Sequence, residues 1–422
     1  MRLLIKNAKI ICSGSTYNGK KVDILIHKGI ITSIAKSITD DKATLITGKE
    51  LYVSIGWMDI GTHMGEPGHE HRETMKSLCT AALAGGFTDI APFPNAEPTI
   101  QTKSQILSIK SDAAQHGVTL HPIGSLSVDT KGENISEYID MHKAGAVAFS
   151  DGLNAVQKNG LLLRALQYAK GIDSIIINHP TDHSLDNDNQ VHEGLSSIRM
   201  GIKGSPEMAE HIMVDRDLQL AKYTESRLCM HALSSKGSID RLKKAKSKNP
   251  NIKASVAYLN LVSSDEDMLD FDSNYKVLPV LRSKVDQNAL LKATKDGLLD
   301  YICSNHVPLE PEAKELEFSY ASNGATGLET MYAAINTLGA KSVSPDNFIS
   351  LITKGPRATL GLQTPIIKEG EIACLTCWDP TIEWVYDGTN KKSKSANNPF
   401  MDTTLSGKVV ATINGKSSYI AS

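Results

Sequence analysis

Two rhythms of apolar and polar positions divide this chain. The first fifty residues run as short alternating segments, Arg2-Leu3-Leu4-Ile5-Lys6, Lys9-Ile10-Ile11-Cys12 and Val22-Asp23-Ile24-Leu25-Ile26, separated by Gly, Ser or Asn turns. The last sixty repeat the pattern in Ile372–Trp378, Ile382–Tyr386 and Val409–Ile413, and Asn414-Gly415 marks a hairpin. Between them, apolar runs alternate with helix-compatible stretches such as Glu73–Gly85 and Leu161–Lys170. The runs are Val53–Ile60, Thr88–Pro92, Thr119–Gly124, Ala146–Ser150, Ser174–Asn178, Arg227–His231, Lys253–Leu259 and Asp300–Ser304. Eight strand-then-helix repeats predict an α/β fold closed as a parallel (β/α)₈ TIM barrel over residues 53–361. The flanking segments, residues 1–52 and 362–422, are expected to pair into one small β-sandwich domain.

Composition narrows the classes. At 422 residues, 41% hydrophobic and 22% charged, the chain can bury a large core. A net charge of −2 and a pI near 6.7 argue against a nucleic-acid or membrane-surface footprint. No apolar run approaches the roughly 20 residues of a membrane span. Met1-Arg2-Leu3-Leu4-Ile5-Lys6 turns polar before a signal sequence could develop, so a soluble cytoplasmic protein is expected. Six cysteines are scattered along the chain. Cys374-Leu375-Thr376-Cys377 has half of a zinc-site spacing but sits in a strand pattern without a second pair, and reads as two small core or edge residues. Lys391-Lys392-Ser393-Lys394 reads as a solvated loop.

In such a barrel the chemistry lies where strands run into the loops of the C-terminal face. Strand 1 ends Asp59-Ile60-Gly61-Thr62-His63, strand 2 at Pro94-Asn95 and strand 4 at Ser150-Asp151. Strands 5, 6 and 8 end at His179, at His231 and at Ser304-Asn305-His306. A lone buried histidine is usually a satisfied core residue. Three histidines and an aspartate (His63, Asp151, His179 and His231) aimed at one axis fit a metal site better, because zinc takes imidazole and carboxylate ligands and leaves a position for water.

At this point the chain resembles the dihydroorotases of the amidohydrolase superfamily over nearly its full length. The resemblance is carried by Glu66-Pro67-Gly68, Ala84-Gly85-Gly86-Phe87-Thr88, Gly145-Ala146-Val147-Ala148-Phe149-Ser150-Asp151, Asn274-Tyr275-Lys276-Val277, Leu281-Arg282-Ser283 and Gly327-Leu328-Glu329-Thr330. It implies a two-metal site with His-x-His on strand 1, a bridging acid on strand 4, histidines on strands 5 and 6, and a strand-8 Asp that is both ligand and general base. Carried over, His63 is the second His of the pair, Asp151 the bridging acid, and His179 and His231 ligands of the second metal.

The departures are concentrated at that site. The first His of the pair is Gly61, and the strand-8 Asp is Asn305. A neutral amide cannot deprotonate water, and a positioned base is worth roughly 10²–10⁴-fold in rate. The Arg that would grip a substrate carboxylate is Gly65, the Asn after Tyr-Lys is Leu278, and the last His of the strand-8 run is Leu309. Asn95 alone matches a substrate contact. The resemblance therefore leads to the expectation of a dihydroorotase-like pseudoenzyme of pyrimidine biosynthesis, inactive or weakly active, holding one zinc ion at Asp151, His179 and His231, or none. It further implies a homodimer and a role as assembly partner of aspartate transcarbamoylase. The competing expectation is an active metal-dependent dihydroorotase, or another cyclic-amide hydrolase, with a remodelled mononuclear zinc site that recruits His63, His183 or a shifted Asp as base.

Overall fold

The computed structural model describes residues 1–187, 190–339 and 345–421. The barrel is assembled from two parallel sheets. One joins Trp57–Thr62, Phe87–Pro92 and Thr119–Leu120. The other runs Ile123–Ser125, Ala148–Ser150, Ile175–Asn178, Leu228–Met230, Ile252–Ala257 and Tyr301–Cys303. The third predicted strand is thus two pieces split around His121-Pro122, where a proline cannot donate to the ladder. The first and last strands meet at their ends. His63 N–H donates to the His306 carbonyl at 2.8 Å. The buried Asp59 carboxylate accepts both the N–H and the hydroxyl of Ser304, each at 2.7 Å.

Side-chain period 2 sorts each strand between two cores. In Ile175–Asn178, Ile175 and Ile177 join the inner cluster with Met58, Ile60, Phe93, Cys229, Tyr301 and Cys303. Ile176 faces outward into the shell of helices. Those helices start on the caps their sequences offer. Thr74 accepts from Ser77 N–H ahead of Met75–Ala84, and Ser235 accepts from Ser238 N–H ahead of Lys236–Lys246. The helix predicted over Leu161–Lys170 spans Asn159–Gly171.

The terminal segments form one eight-stranded sheet in the order Ser417–Ile420, Thr403–Asn414, Cys374–Tyr386, Tyr52–Ile55, Arg2–Ile11, Lys21–His27 and Ile30–Ala35, with Thr44–Ile46 also pairing on Arg2–Ile11. It closes over its own core of Ile5, Ile10, Ile24, Val53, Leu375 and Ile413. The run Val53–Ile60 is divided at Gly56: Tyr52–Ile55 belongs to this sheet and Trp57–Thr62 to the barrel. A Cβ at Gly56 would come 2.0 Å from Thr88 Oγ1, so only glycine lets the chain pass the second barrel strand here. The fully buried Trp57 then anchors the joint against Phe87, Tyr332 and Trp378. All six cysteines are free thiols; Cys377 is buried and Cys374 half-buried, as expected for strand residues. Among the described residues no helix is long and apolar enough to cross a membrane.

Candidate functional site

The strand ends bring the sequence-predicted residues to one face of the barrel, though not into one coordination sphere. His231 is fully buried. Its Nδ1 lies 3.2 Å from the Tyr301 hydroxyl, and its Nε2 3.8 Å from Cys303 Sγ. The edge of its ring packs against Phe93, with centroids 4.9 Å apart. His179 places Nδ1 3.3 Å from the His231 carbonyl and Nε2 3.4 Å from Thr181 Oγ1. Asp151 accepts Ser127 N–H on Oδ1 at 2.8 Å and Ser127 Oγ–H on Oδ2 at 2.5 Å. His63 is half-buried beside Phe93, and its Nε2 has no partner.

Burial dominates the electrostatics. It pushes the Asp151 carboxyl up to about 6 against the opposing bonds from Ser127. It lowers His231 to about 3, helped by His179 and His63, and His63 to about 4, helped by His306. At neutral pH these imidazoles are therefore uncharged. The cluster has three imidazoles that burial keeps from protonating and one carboxylate held by Ser127, so these four residues offer no positive charge to a substrate anion.

The residues present do not fit a two-metal centre. Gly61 has a φ of +96°, and a Cβ built there would lie 2.6 Å from His231 Cε1, 2.8 Å from its Nε2 and 3.0 Å from Phe93 Cε2. The space that an imidazole at position 61 would need is filled by His231 and Phe93. Asn305, also at positive φ (47°), donates its Nδ2–H to the Leu278 carbonyl at 2.8 Å, while its Oδ1 is buried without a partner. Among the described residues, one trio of ligand-type side chains has its donor atoms within 4.8 Å of one another. That trio is His192, Glu207 and Asp286, not Asp151, His179 and His231.

The substrate side is closed by backbone as well. A Cβ at Gly65 would meet the Glu73 carbonyl oxygen at 2.2 Å and the His69 carbonyl oxygen at 2.7 Å, so the turn leaves no room for an arginine. Leu309 is buried, its N–H on Asn397 Oδ1 at 3.1 Å. Asn95 donates to the Asp151 carbonyl at 3.2 Å and keeps an unpartnered Oδ1.

The segment Lys391–Lys394 departs from its reading as a solvated loop. Lys394 is exposed, but Ser393 is buried with its hydroxyl on Glu73. The N–H groups of Lys392 and Ser393 donate to Glu329, and that of Lys394 to Glu73. Two carboxylates from distant elements, Glu73 buried and Glu329 half-buried, capture this stretch, and local composition carries no sign of them. Sequence reasoning also missed Phe93, Ser127, Tyr301 and Cys303. The alternation of Tyr301-Ile302-Cys303, which turns Tyr301 and Cys303 inward, was the available signal for the last two.

Asn305→Asp tests the latch to Leu278. A carboxylate cannot donate to that carbonyl, so the variant is expected to lose about 1–3 kcal/mol of stability and to gain no hydrolytic activity. Urea unfolding compared with the parent measures the loss; an unchanged midpoint would show that the latch contributes nothing.

A dihydro-orotase-like family model matches residues 51–238. Over 98% of the chain and 96% of the relative, the protein is 36% identical to a dihydroorotase of Thermoanaerobacter sp. (strain X514). It is 34% identical to a dihydroorotase of Syntrophus aciditrophicus (strain SB), over 98% of each chain. Its fold matches that of an L-hydantoinase (dihydropyrimidinase) from Arthrobacter aurescens with a TM-score of 0.85 at 22% identity, covering 99% of this chain and 96% of that one. A dihydropyrimidinase from Brevibacillus agri NCHU1002 follows at 0.81 and 18%, covering 100% and 95%. Full-length similarity at this level, on a barrel whose strand ends still carry His63, Asp151, His179 and His231, makes the chain a member of the dihydroorotase family.

Proposed function

We propose that this protein is a non-hydrolytic member of its family, kept in pyrimidine biosynthesis as an assembly subunit rather than as a catalyst. The observation that carries the reading is the filled space at Gly61: His231 and Phe93 occupy what a first-strand metal ligand would need. Asn305 supports it. Its amide is a hydrogen-bond donor to Leu278, whereas a general base must accept a proton. Gly65 adds a turn too tight for a carboxylate-binding arginine. These three changes, two at the end of the first barrel strand and one after the last, would remove ligand, base and substrate grip together, while the barrel and its caps are retained.

The partner we propose is aspartate transcarbamoylase, the enzyme of the preceding step, with this chain holding it in its active assembly, itself as a homodimer in the cytoplasm. The test mixes the purified protein with the transcarbamoylase from the same source and follows sedimentation and both activities. A stable complex, transcarbamoylase activity that depends on this chain, and dihydroorotate turnover at background are expected with and without added zinc. Brisk dihydroorotate hydrolysis by the zinc-loaded protein would instead establish an active mononuclear enzyme. Separate sedimentation of the two proteins would remove the assembly role.

A further inference from the structure

We propose that His192, Glu207 and Asp286 form a divalent-metal site separate from the strand-end cluster, which ties together three segments that share no strand. His192 ends the short pairing of Val191–His192 with Gly204–Ser205. Glu207 is the first residue of the helix Glu207–Thr224, and Asp286 lies in the first turn of Lys284–Lys295. One nitrogen and two carboxylate oxygens from these residues lie within 4.8 Å of one another. Zinc–ligand bonds of about 2.0–2.2 Å put neighbouring donors roughly 3.4 Å apart, so closure requires side-chain movements of about 1 Å.

Neither carboxylate forms an ion pair with a lysine or arginine: among the described residues, no Lys or Arg side-chain nitrogen lies within 4.0 Å of Glu207 or Asp286. The basic side chain within 4.0 Å of Glu207 is His211, whose Nε2 is 3.6 Å from Oε2 and also 3.1 Å from Ser235 Oγ, and burial lowers its pKa. Asp286 is held in place, with Oδ1 accepting Lys236 N–H at 2.8 Å and Oδ2 accepting Ser283 Oγ–H at 2.5 Å. Each of its oxygens retains a second lone pair for a metal.

Arg282 is the competing cation, and its hydrogen bonds go to neither Glu207 nor Asp286. Its Nε donates to Ser234 Oγ at 3.1 Å and its Nη1 to the Ser205 carbonyl at 2.7 Å, 3.4 Å from His192 Nδ1. The buried Glu210 carboxylate, held by Ser234 and Ser235, stands beside it as a further negative charge. Glu207, Glu210, Asp286 and the neighbouring Asp265 outnumber Arg282, an excess of negative charge that a divalent ion would offset. One imidazole with two carboxylates suits zinc, cobalt or manganese and leaves a position for water.

The experiment strips the full-length protein with a chelator and titrates it with Zn²⁺ by calorimetry and with Co²⁺ by visible absorption. One equivalent is expected, with Co²⁺ bands of a low-symmetry nitrogen–oxygen site. Glu207→Gln and His192→Gln should each weaken it by roughly tenfold or more. Glu207 is half-exposed, so its variant is expected to keep the fold, which circular dichroism checks. Asp151→Asn and His179→Gln should leave that equivalent intact. Loss of the equivalent in those two variants would place the ion at the strand ends instead. Full retention in Glu207→Gln, or no binding by the parent, would equally overturn the proposal.

Discussion

Gly61→His is expected to lower stability by about 2–6 kcal/mol without creating a metal ligand. The figure joins about 1–3 kcal/mol for a side chain forced into the glycine conformation and about 1–3 for overpacking. The geometry says where the cost falls: φ is +96°, and the first side-chain atom already lies 2.6 Å from His231 Cε1. Gly61→Ala should therefore carry most of the penalty, since Cβ is the atom that collides. His231 cannot retreat freely, because its ring is held between Phe93, Tyr301 and Cys303. Denaturant unfolding of both variants, with and without zinc, checks this. A Gly61→His protein as stable as the parent that binds two zinc ions and hydrolyses dihydroorotate would show that the centre was merely missing a ligand.

The same collision explains why the family's chemistry was legible in the sequence only as a loss. Strand ends could be read because period 2 sends alternate residues inward and the glycine-bounded runs fix where each strand stops. His63, Asp151, His179 and His231 were placed on one face by that reasoning, and the barrel brings them there. Whether donors converge depends on ring rotations and on neighbours, and no spacing reports those. Ser127 satisfying both oxygens of Asp151 comes from the loop after another strand. Phe93 lies two residues from the noticed Asn95, and nothing in its type marks it as the filler of a ligand's place. His192, Glu207 and Asp286 arrive from three segments with no motif between them, so only the folded chain juxtaposes them.

Glu73→Ala is expected to be the most damaging single change away from the strand-end cluster, costing about 3–5 kcal/mol, the range for breaking a buried charged network. Glu73 is fully buried. It accepts hydroxyls from Ser77 and Ser393 and the N–H of Lys394 at 3.0 Å, with His306 Nε2 3.5 Å away. Burial alone would raise its carboxyl, but the nearby His306 ring and the hydrogen bonds from Ser393 and Ser77 outweigh it and hold the group below its usual range. The charge is thus wanted where it is. Removing it strands three donors and unfastens the segment 391–395, which Glu73 joins to the last barrel strand through His306. Glu73→Gln keeps the volume but turns an amide N–H toward other donors, so about 1–3 kcal/mol is expected. Hydrogen exchange should show protection lost first at Ser393 and Lys394, ahead of global unfolding. Unchanged protection there in Glu73→Ala would mean that Glu329, which holds Lys392 and Ser393, suffices to dock the segment by itself.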